Sequence, residues 1–158
     1  MTDDGIVIAE ETLAALWRDA QHLFADHCEN VGEARDAHHG KNVALMFRLA
    51  DIGAFHVMTA RCNGRVFGYL CTLISPSLEA VGLLVGVQTL FFASRDAAGM
   101  NLGPRLQRAS IEALRAKGVG EIYMRAGIRG AGPRLGALYQ RLGAQGFGSL
   151  YKLSLKAA

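Results

Sequence analysis

Residues 83–126 read LLVGVQTLFFASRDAAGMNLGPRLQRASIEALRAKGVGEIYMRA, and this stretch decides the fold. Residues 83–93 are almost entirely apolar, which predicts a long strand buried on both faces at the centre of a sheet. Residues 104–117 carry apolar side chains at helical spacing, with a proline at the first position and Gly118 after the last turn. Residues 121–126 form a second strand. A strand, a helix and a strand in this order predict a right-handed crossover between two parallel strands.

The segments before this crossover predict two helices and a hairpin. Apolar residues recur at helical spacing over residues 10–27 and 42–52. We interpret the polar stretch between these helices as a loop that closes over a substrate. Residues 55–61 and 65–74 are rich in β-branched and aromatic residues. The Asn63-Gly64 pair between them is favoured where both turn residues need a positive φ, so the two strands form a hairpin.

The segments after the crossover complete the predicted fold. A glycine-rich loop over residues 127–133 precedes a short helix at 134–142 and a last strand at 147–155. The order is therefore α α β β β α β α β. With no internal repeat and no linker, it predicts one α/β domain over residues 1–158, a mixed central sheet with helices on both faces.

Composition narrows the class of protein. The chain has 158 residues, 51% of them hydrophobic and 20% charged, so it can bury a core and is not disordered. Its apolar stretches fall short of the ~20 residues that span a membrane, and its acidic start differs from a signal peptide. We therefore expect a cytoplasmic protein with no membrane partner. Three cysteines without a Cys-x-x-Cys pair are expected to be reduced thiols.

The charge is divided unevenly along the chain. Residues 1–79 hold 6 Lys and Arg against 11 Asp and Glu, whereas residues 80–158 hold 11 against 3. The second half is therefore where we expect an anion to bind. Its basic residues are scattered singly, with no basic run and no aromatic residues interleaved on a strand. This scatter favours a phosphorylated small molecule over nucleic acid, so no nucleic-acid partner is predicted.

The loop at residues 94–103 is the candidate anion site. It leads from an interior strand into a helix, so unpaired backbone N–H groups and the positive end of the helix dipole face a ligand there. Gly99 and Gly103 allow close approach of the backbone, and Asn101 tolerates left-handed geometry. Nearby arginines would add contacts to a phosphate: Arg95, Arg105 and Arg108. The alternative is an ordinary strand-to-helix turn. Neither a P-loop nor a dinucleotide fingerprint is present.

A metal site is the weaker interpretation of a second group of residues. Imidazole and thiolate groups are the usual ligands of zinc, and five such residues occur early in the chain: His22, His27, Cys28, His38 and His39. His22 and His27 are five residues apart and do not share a helix face, and no second cysteine or convergent carboxylate accompanies them. The sequence predicts no metal.

Taken together, these segments resemble the GNAT superfamily of acyl-CoA N-acyltransferases. The resemblance lies in the element order and in LFFAS, the glycine-containing loop, EALRAKG, EIYMRA and LGALYQRLGA. It covers nearly the whole chain. The stretches GRVFGYLCTLISPSLEAVG and LYQRLGAQGFGSLYKLSL are most similar to GNAT-like proteins of bacteriophages and prophages.

The resemblance implies a cosubstrate and the residues that bind it. In the family, the interior strand separates from its parallel neighbour at a bulge, and the pantetheine of acetyl-CoA lies in the gap. Here that implies contact with Leu90, Phe91, Phe92 and Ala93. The pyrophosphate is held by backbone N–H groups of the following loop, which implies Ala98, Gly99, Met100, Asn101, Leu102, Gly103 and Pro104.

The resemblance also implies an acid, and the residues offer a candidate base. A tyrosine of the late helix protonates the departing thiolate in the family, and Tyr139 has that place. An ordinary core tyrosine is the alternative. Glu79, just beyond the second hairpin strand, is the candidate base, with a solvated loop carboxylate as its alternative. His56 lies in a strand and is expected to be structural. Water relays the proton in some family members.

The sequence departs from the family's pattern at several positions. The loop signature is Arg or Gln, two residues, Gly, one residue, then Gly or Ala. Ala98 stands in the place of its arginine and Asn101 in that of its first glycine. Pro133 replaces a frequent asparagine, and Ala144 replaces a usual aromatic residue. These departures predict weakened acetyl-CoA binding or none, and Arg95 is a candidate to compensate for the lost arginine.

Three functions follow in order of preference. The first is acetyl transfer from acetyl-CoA to a primary amine by direct attack, with Tyr139 as general acid. The acceptor is then a small-molecule amine or a protein lysine, and the acidic first half favours a cationic amine such as an aminoglycoside, a polyamine or a lysine side chain. Acidic residues that are simply solvated are the alternative. The second is an inactive GNAT-fold binding or virion-associated module, and the third is a nucleic-acid binder. Pairing of the last strand across a dimer would give a homodimer.

Overall fold

A computed structural model describes residues 5–97, 100–126, 132–148 and 155. Within them, five strands form one sheet in the spatial order β1-β2-β3-β4-β5. Neighbouring strands pair antiparallel, except that β4 and β5 are parallel. The strands are β1 (Ile6–Glu10), β2 (Phe55–Cys62), β3 (Arg65–Pro76), β4 (Leu84–Ala93) and β5 (Val119–Tyr123).

Helices cover both faces of this sheet. One core cluster joins α1, α2 and α3 to one face, and its buried members include Leu16, Phe24 and Tyr69. A second cluster joins α4 to the other face through Leu70 and Leu106. This arrangement is the α/β GNAT fold. The helices are α1 (Leu13–Asp19), α2 (Gln21–Asn30), α3 (Val43–Asp51), α4 (Leu102–Ala116) and α5 (Gly132–Arg141), with 3-10 turns at Ala37–Gly40 and Arg95–Ala97.

The hairpin and the crossover are confirmed. Asn63 and Gly64 have φ of 48° and 79°, so the turn between β2 and β3 has the two positive φ values that its sequence predicts. Strand β4, helix α4 and the parallel strand β5 follow one another as expected. Where residues are described, the fold contains no helix long and apolar enough to cross a membrane.

The beginning of the chain differs from its prediction. Residues 10–27 are not one helix: Glu10 ends strand β1, and the helical part divides at Ala20, whose ψ is 9°. Thr12 caps α1 by accepting a hydrogen bond from the Ala15 N–H at 3.1 Å. The strand was missed because it has only five residues, too few for alternation to be distinguished from helical spacing.

The interior strand and the crossover helix also need correction. Strand β4 is not buried on both faces: Gly86, Gln88 and Phe92 are its buried residues, and Thr89 is exposed. Strand β3, not β4, is the middle one of the five described strands. Helix α4 begins at Leu102, two residues before its predicted start. Its proline still fits there, because the first N–H groups of a helix have no partner within the helix.

The end of the predicted order falls mostly outside the described residues. Of the expected last strand, Phe147 and Gly148 have no regular structure, and residues 149–154 are not among those described. Phe147 contacts the Tyr123 ring of β5 edge to face, with ring centroids 5.8 Å apart. Of the loop predicted at residues 127–133, residues 127–131 also lie outside the described part, and Gly132 and Pro133 instead begin helix α5.

Candidate functional site

Strand β4 contains a bulge beyond which its parallel neighbour no longer pairs with it. Cys71 of β3 pairs with Leu90, and the next residue of β3 pairs with Gln88, so Thr89 is the additional residue. The Thr89 hydroxyl donates to the Cys71 carbonyl at 3.3 Å. Among the described residues, pairing between β4 and β5 ends at Val87. A slot therefore opens beside residues 88–93, because among the described residues they pair with β3 alone.

The backbone of β4 supplies polar groups to this slot. The Ser94 N–H donates to the Phe67 carbonyl of β3 at 2.8 Å. Alternate residues of an antiparallel strand direct their backbone groups toward the same neighbour, so Phe92 also faces β3. Phe91 and Ala93 consequently direct their N–H and C=O groups away from β3, into the slot. A strand edge of this kind can pair with an amide-containing ligand.

A cavity of about 230 Å³ lies at the bulge. It connects strand β4 with the N-terminal helices on one side and with α5 on the other. Aromatic and aliphatic side chains make up most of its wall: Trp17, Phe24, Val31, Met46, Tyr69, Leu90, Phe91, Leu135 and Tyr139. Its remaining lining residues are polar or charged: His27, Cys28, Glu33, His38, Lys41, Gln88, Thr89 and Arg125.

Tyr139 brings a protonated hydroxyl to this cavity. It lies on α5, is buried, and donates to the backbone carbonyl of Arg125 at 3.2 Å. Burial raises the pKa of its phenol, since the phenolate would lose its hydration. Tyr139 is therefore a neutral proton donor at physiological pH. It shares the cavity with Leu90 and Phe91 of the predicted cosubstrate site.

His27 is a cavity residue whose place sequence reasoning did not find. Its Nδ1 and the Tyr69 hydroxyl are hydrogen-bonded at 2.5 Å, and its ring stacks on Phe92 with centroids 5.4 Å apart. Burial lowers the pKa of His27 to about 4, so the ring is neutral at pH 7. The signal was present, because His27 shares a helix face with Leu23 and Phe24, but we considered it only as a metal ligand.

Charged groups of the cavity wall largely neutralise one another. Lys41 Nζ lies 2.8 Å from a carboxylate oxygen of Glu33. This hydrogen bond lowers the pKa of Glu33, which stays ionised. Arg125 adds a second cation at the edge of the cavity. Cys28 is buried beside them, and burial raises the pKa of its thiol, so it is not a thiolate at neutral pH.

The N-terminus of α4 has the backbone shape that the predicted anion loop requires. Asn101 is left-handed, with φ of 48° and ψ of 37°, and is the N-cap residue. It thus adopts the conformation for which the family pattern uses glycine. A Cβ on Gly103 would lie 3.5 Å from the Phe91 ring, which is an ordinary contact, so alanine would fit at this position. Leu102 is buried, and Met100 precedes the cap.

The arginines near this loop have different surroundings. The Arg105 guanidinium donates to the carbonyls of Ile6 at 3.3 Å and of Met100 at 3.5 Å. These hydrogen bonds connect the loop before α4 to strand β1. Arg95 lines a separate surface cavity with Asp26 and Glu29 of α2. Ala98 and Gly99, also predicted to hold the pyrophosphate, lie outside the described residues.

Glu79 and His56 do not line the cavity. Glu79 is exposed in the connection between β3 and β4, where its N–H donates to the Ser77 hydroxyl at 3.1 Å. His56 is buried, and neither of its ring nitrogens has a hydrogen-bond partner; its nearest carboxylate oxygen, on Glu10, is 3.6 Å away. Burial lowers the pKa of His56. In the part of the chain that is described, no three His, Cys, Asp or Glu side chains cluster as metal ligands would.

Solved structures share this fold, whereas sequence comparison finds nothing. No family model and no curated protein match the sequence. An aminoglycoside acetyltransferase from an uncultured soil metagenomic sample has a TM-score of 0.78 at 15% identity, covering 96% of this chain and 99% of that one. Ribosomal-protein-alanine N-acetyltransferase from Brucella melitensis biovar Abortus 2308 has 0.72 at 17% identity, covering 96% and 99%. Glucosamine-6-phosphate N-acetyltransferase from Arabidopsis thaliana has 0.69 at 10%, with the same coverage. At these identities the likeness establishes the fold.

Proposed function

We propose that this protein transfers an acetyl group from acetyl-CoA to a primary amine. One observation carries the proposal: the slot beside the bulge at Thr89 opens into a cavity that holds the Tyr139 hydroxyl. A slot with backbone polar groups suits an extended amide-containing chain such as pantetheine, and the hydroxyl supplies an acid at its end. The solved acetyltransferases with this fold, whose acceptors are amines, support it further.

The residues of the slot and of the α4 N-terminus fit the cosubstrate. Backbone groups of Phe91 and Ala93 face the space where we place the pantetheine, between the flanking residues Leu90 and Phe92. The pyrophosphate would meet the helix N-terminus formed by Met100, Asn101, Leu102, Gly103 and Pro104, where unpaired N–H groups favour an anion. Ala98 and Gly99 are assigned to this site through the family resemblance alone.

The chemistry is a direct acyl transfer. Acetyl-CoA supplies a thioester whose carbonyl carbon accepts the amine. As the C–N bond forms and the C–S bond breaks, Tyr139 gives its proton to the sulfur, and a backbone N–H of β4 steadies the carbonyl oxygen. The surroundings that raise the Tyr139 pKa also disfavour a bare thiolate, which therefore takes the proton readily. The amine's surplus proton leaves to water, because Glu79 is exposed and does not line the cavity, and water returns a proton to the Tyr139 phenolate.

Calorimetric titration with acetyl-CoA tests the cosubstrate, with CoA and ATP as controls. We expect saturable binding that prefers acetyl-CoA to ATP. ATP carries phosphates and adenine but no pantetheine, so equal binding of the two would contradict the assignment of the slot. Absence of binding at millimolar acetyl-CoA would reject the proposed function.

A binding module without turnover is the second candidate. Two observations favour it: the Tyr139 proton is already directed at the Arg125 carbonyl, and alanine occupies the loop position where the family has arginine. Detection of acetyl transfer to any amine would eliminate it. The phage or prophage origin, the cytoplasmic location, the homodimer and the absence of a nucleic-acid partner stay predictions.

A further inference from the structure

Ion pairs already occupy most acidic side chains of the N-terminal half. The Arg35 guanidinium contacts Glu29 at 2.5 Å and Asp26 at 3.0 Å. Arg61 contacts Glu11 at 2.6 Å and Asp19 at 2.9 Å. None of these four carboxylates is among the described residues that line the cavity. The prediction of a cationic acceptor rested on the acidic first half of the sequence, and that acidic excess is not located in the described cavity lining.

Among the described residues that line it, the cavity offers no unpaired carboxylate. These residues include one carboxylate, Glu33, and two cations, Lys41 and Arg125, so the formal charge of the described lining is positive. Glu33 is engaged with Lys41 at 2.8 Å. His27 adds no negative charge, since it is neutral. A polyamine that entered this cavity would lose hydration of its additional ammonium groups without gaining a counter-ion, which is unfavourable.

Part of the wall opposite β4 is apolar, and the space is small. Trp17 and Phe24 pack with ring centroids 4.8 Å apart, and Met46, Val31 and Leu135 continue the same lining. The volume of about 230 Å³ is below the ~300–1,000 Å³ of sites that hold drug-sized ligands. The end of the pantetheine must share that space, so the acceptor is smaller still.

We propose that the acceptor is a small monoamine with a compact apolar body, aromatic or branched aliphatic. This inference rests on the proposed acetyl transfer and specifies its second substrate. The body of the amine lies against Trp17, Phe24 and Met46, and its nitrogen reaches the bulge at Thr89. An apolar site disfavours the ammonium form, so it also promotes the neutral amine that attacks the thioester.

A panel of amines tests the proposal with the intact protein and acetyl-CoA. We expect kcat/KM for phenethylamine and isoamylamine to exceed that for spermidine and kanamycin by at least about tenfold, measured as release of the CoA thiol. Equal or better transfer to spermidine or kanamycin would overturn the inference and leave acetyl transfer standing. Transfer to none of them, with acetyl-CoA bound, would overturn both.

Two lysines provide a matched test of the charge argument. Lys41 pairs with Glu33 at the cavity, and Lys117 pairs with Glu10 away from it, at the same 2.8 Å and with similar exposure. Lys41→Met frees the Glu33 carboxylate, so we expect it to raise the spermidine-to-phenethylamine ratio of kcat/KM about tenfold. Lys117→Met should leave that ratio unchanged. The same ratio in both variants would overturn the inference.

A second pair of variants guards against misfolding of Lys41→Met. Met46 lines the cavity, and its neighbour Leu45 is exposed on α3 and does not. Met46→Glu places a new carboxylate on the apolar wall and should raise the spermidine-to-phenethylamine ratio. Leu45→Glu adds the same charge outside and should not. A rise in both variants would count against the cavity as the acceptor site.

Discussion

The side-chain amides of Gln88 and Gln107 form a reciprocal pair. The Gln88 amide donates to Gln107 Oε1 at 2.7 Å, and the Gln107 amide donates to Gln88 Oε1 at 3.0 Å. Both side chains are buried, and Gln88 immediately precedes the bulge at Thr89. The pair therefore fixes the position of the bulge relative to helix α4, whose N-terminus forms the proposed pyrophosphate site.

Breaking this pair should weaken both stability and cosubstrate binding. Gln107→Leu leaves the buried Gln88 amide without its partner, so we expect the free energy of unfolding in urea to fall by about 1–3 kcal/mol. Acetyl-CoA binding should weaken with it. Gln88→Leu with Gln107→Leu should recover part of the stability, because no buried amide is then unpaired. The double variant is compared with Gln107→Leu by its free energy of unfolding. If Gln88→Leu lowered that free energy by a further ~1–3 kcal/mol, as much as Gln107→Leu did alone, the two amides would not act as a pair.

Tyr139→Phe should slow turnover without weakening acetyl-CoA binding. Only the proton donor is removed, so kcat should fall by about 10²–10⁴-fold while the calorimetric Kd for acetyl-CoA stays within about twofold. Tyr123→Phe is the control, since that hydroxyl contacts Glu121 at 3.2 Å on an exposed part of β5. Unchanged kcat in Tyr139→Phe would show that the hydroxyl serves the Arg125 carbonyl and not the reaction.

Position 101 has a left-handed backbone conformation, so we expect a glycine there to preserve acetyl-CoA binding and a β-branched residue to weaken it. Asn101→Gly keeps the backbone conformation and should keep acetyl-CoA binding, whereas Asn101→Val must pay about 1–2 kcal/mol for positive φ and should weaken it. Asn63 has the same φ of 48° in the hairpin turn and offers a control. Asn63→Val should lower the melting temperature comparably but leave the Kd unaltered. If Asn101→Val bound acetyl-CoA as tightly as the unaltered protein, the conformation of the N-cap residue would not matter for cosubstrate binding.

Stability should fall in mild acid through His27. Its pKa of about 4 in the folded protein is below the ordinary 6.5, so between these values the unfolded chain binds more protons. The stabilisation is complete above pH 6.5 and is lost progressively as the pH falls toward 4. At pH 5 the loss is about 2 kcal/mol.

Urea unfolding at pH 7.5 and pH 5 measures this loss. His27→Gln retains a hydrogen-bonding side chain beside Tyr69 but does not titrate. Its free energy of unfolding should therefore change less between pH 7.5 and pH 5 than that of the unaltered protein, by about 2 kcal/mol. His22→Gln is the control, because His22 is exposed, with its Nε2 3.1 Å from the Val66 carbonyl. An equal pH dependence in His27→Gln and the unaltered protein would contradict the assignment.

Local sequence signals predicted the parts of the fold that local chemistry determines. The Asn63-Gly64 turn and the crossover through α4 follow from turn residues and helical spacing within single segments. Strand β1 was missed because its five residues are recognisable as a strand only from their pairing with β2. The division at Ala20 was missed for a similar reason, since nothing in that alanine distinguishes the end of a helix from its middle.

The candidate site was less accessible to sequence reasoning. Thr89 is an ordinary strand residue, and its bulge was expected only through the family resemblance. Glu79 was chosen for its place after a hairpin strand, whereas which residues line the cavity depends on the tertiary arrangement, and Glu79 is not among those described there. His27 illustrates the opposite case, because a histidine on an apolar helix face shows its role only once β3 and β4 supply Tyr69 and Phe92 as neighbours.

The left-handed cap at Asn101 has a consequence for how such loops are recognised. A sequence signature treats glycine and asparagine as different residues. At this position both can adopt the left-handed backbone conformation that the loop has. The loop requires a positive φ at this position, and more than one type of residue can adopt it. Chains that lack the glycine but keep an asparagine at the helix entrance therefore belong among the candidates for an intact phosphate-binding turn.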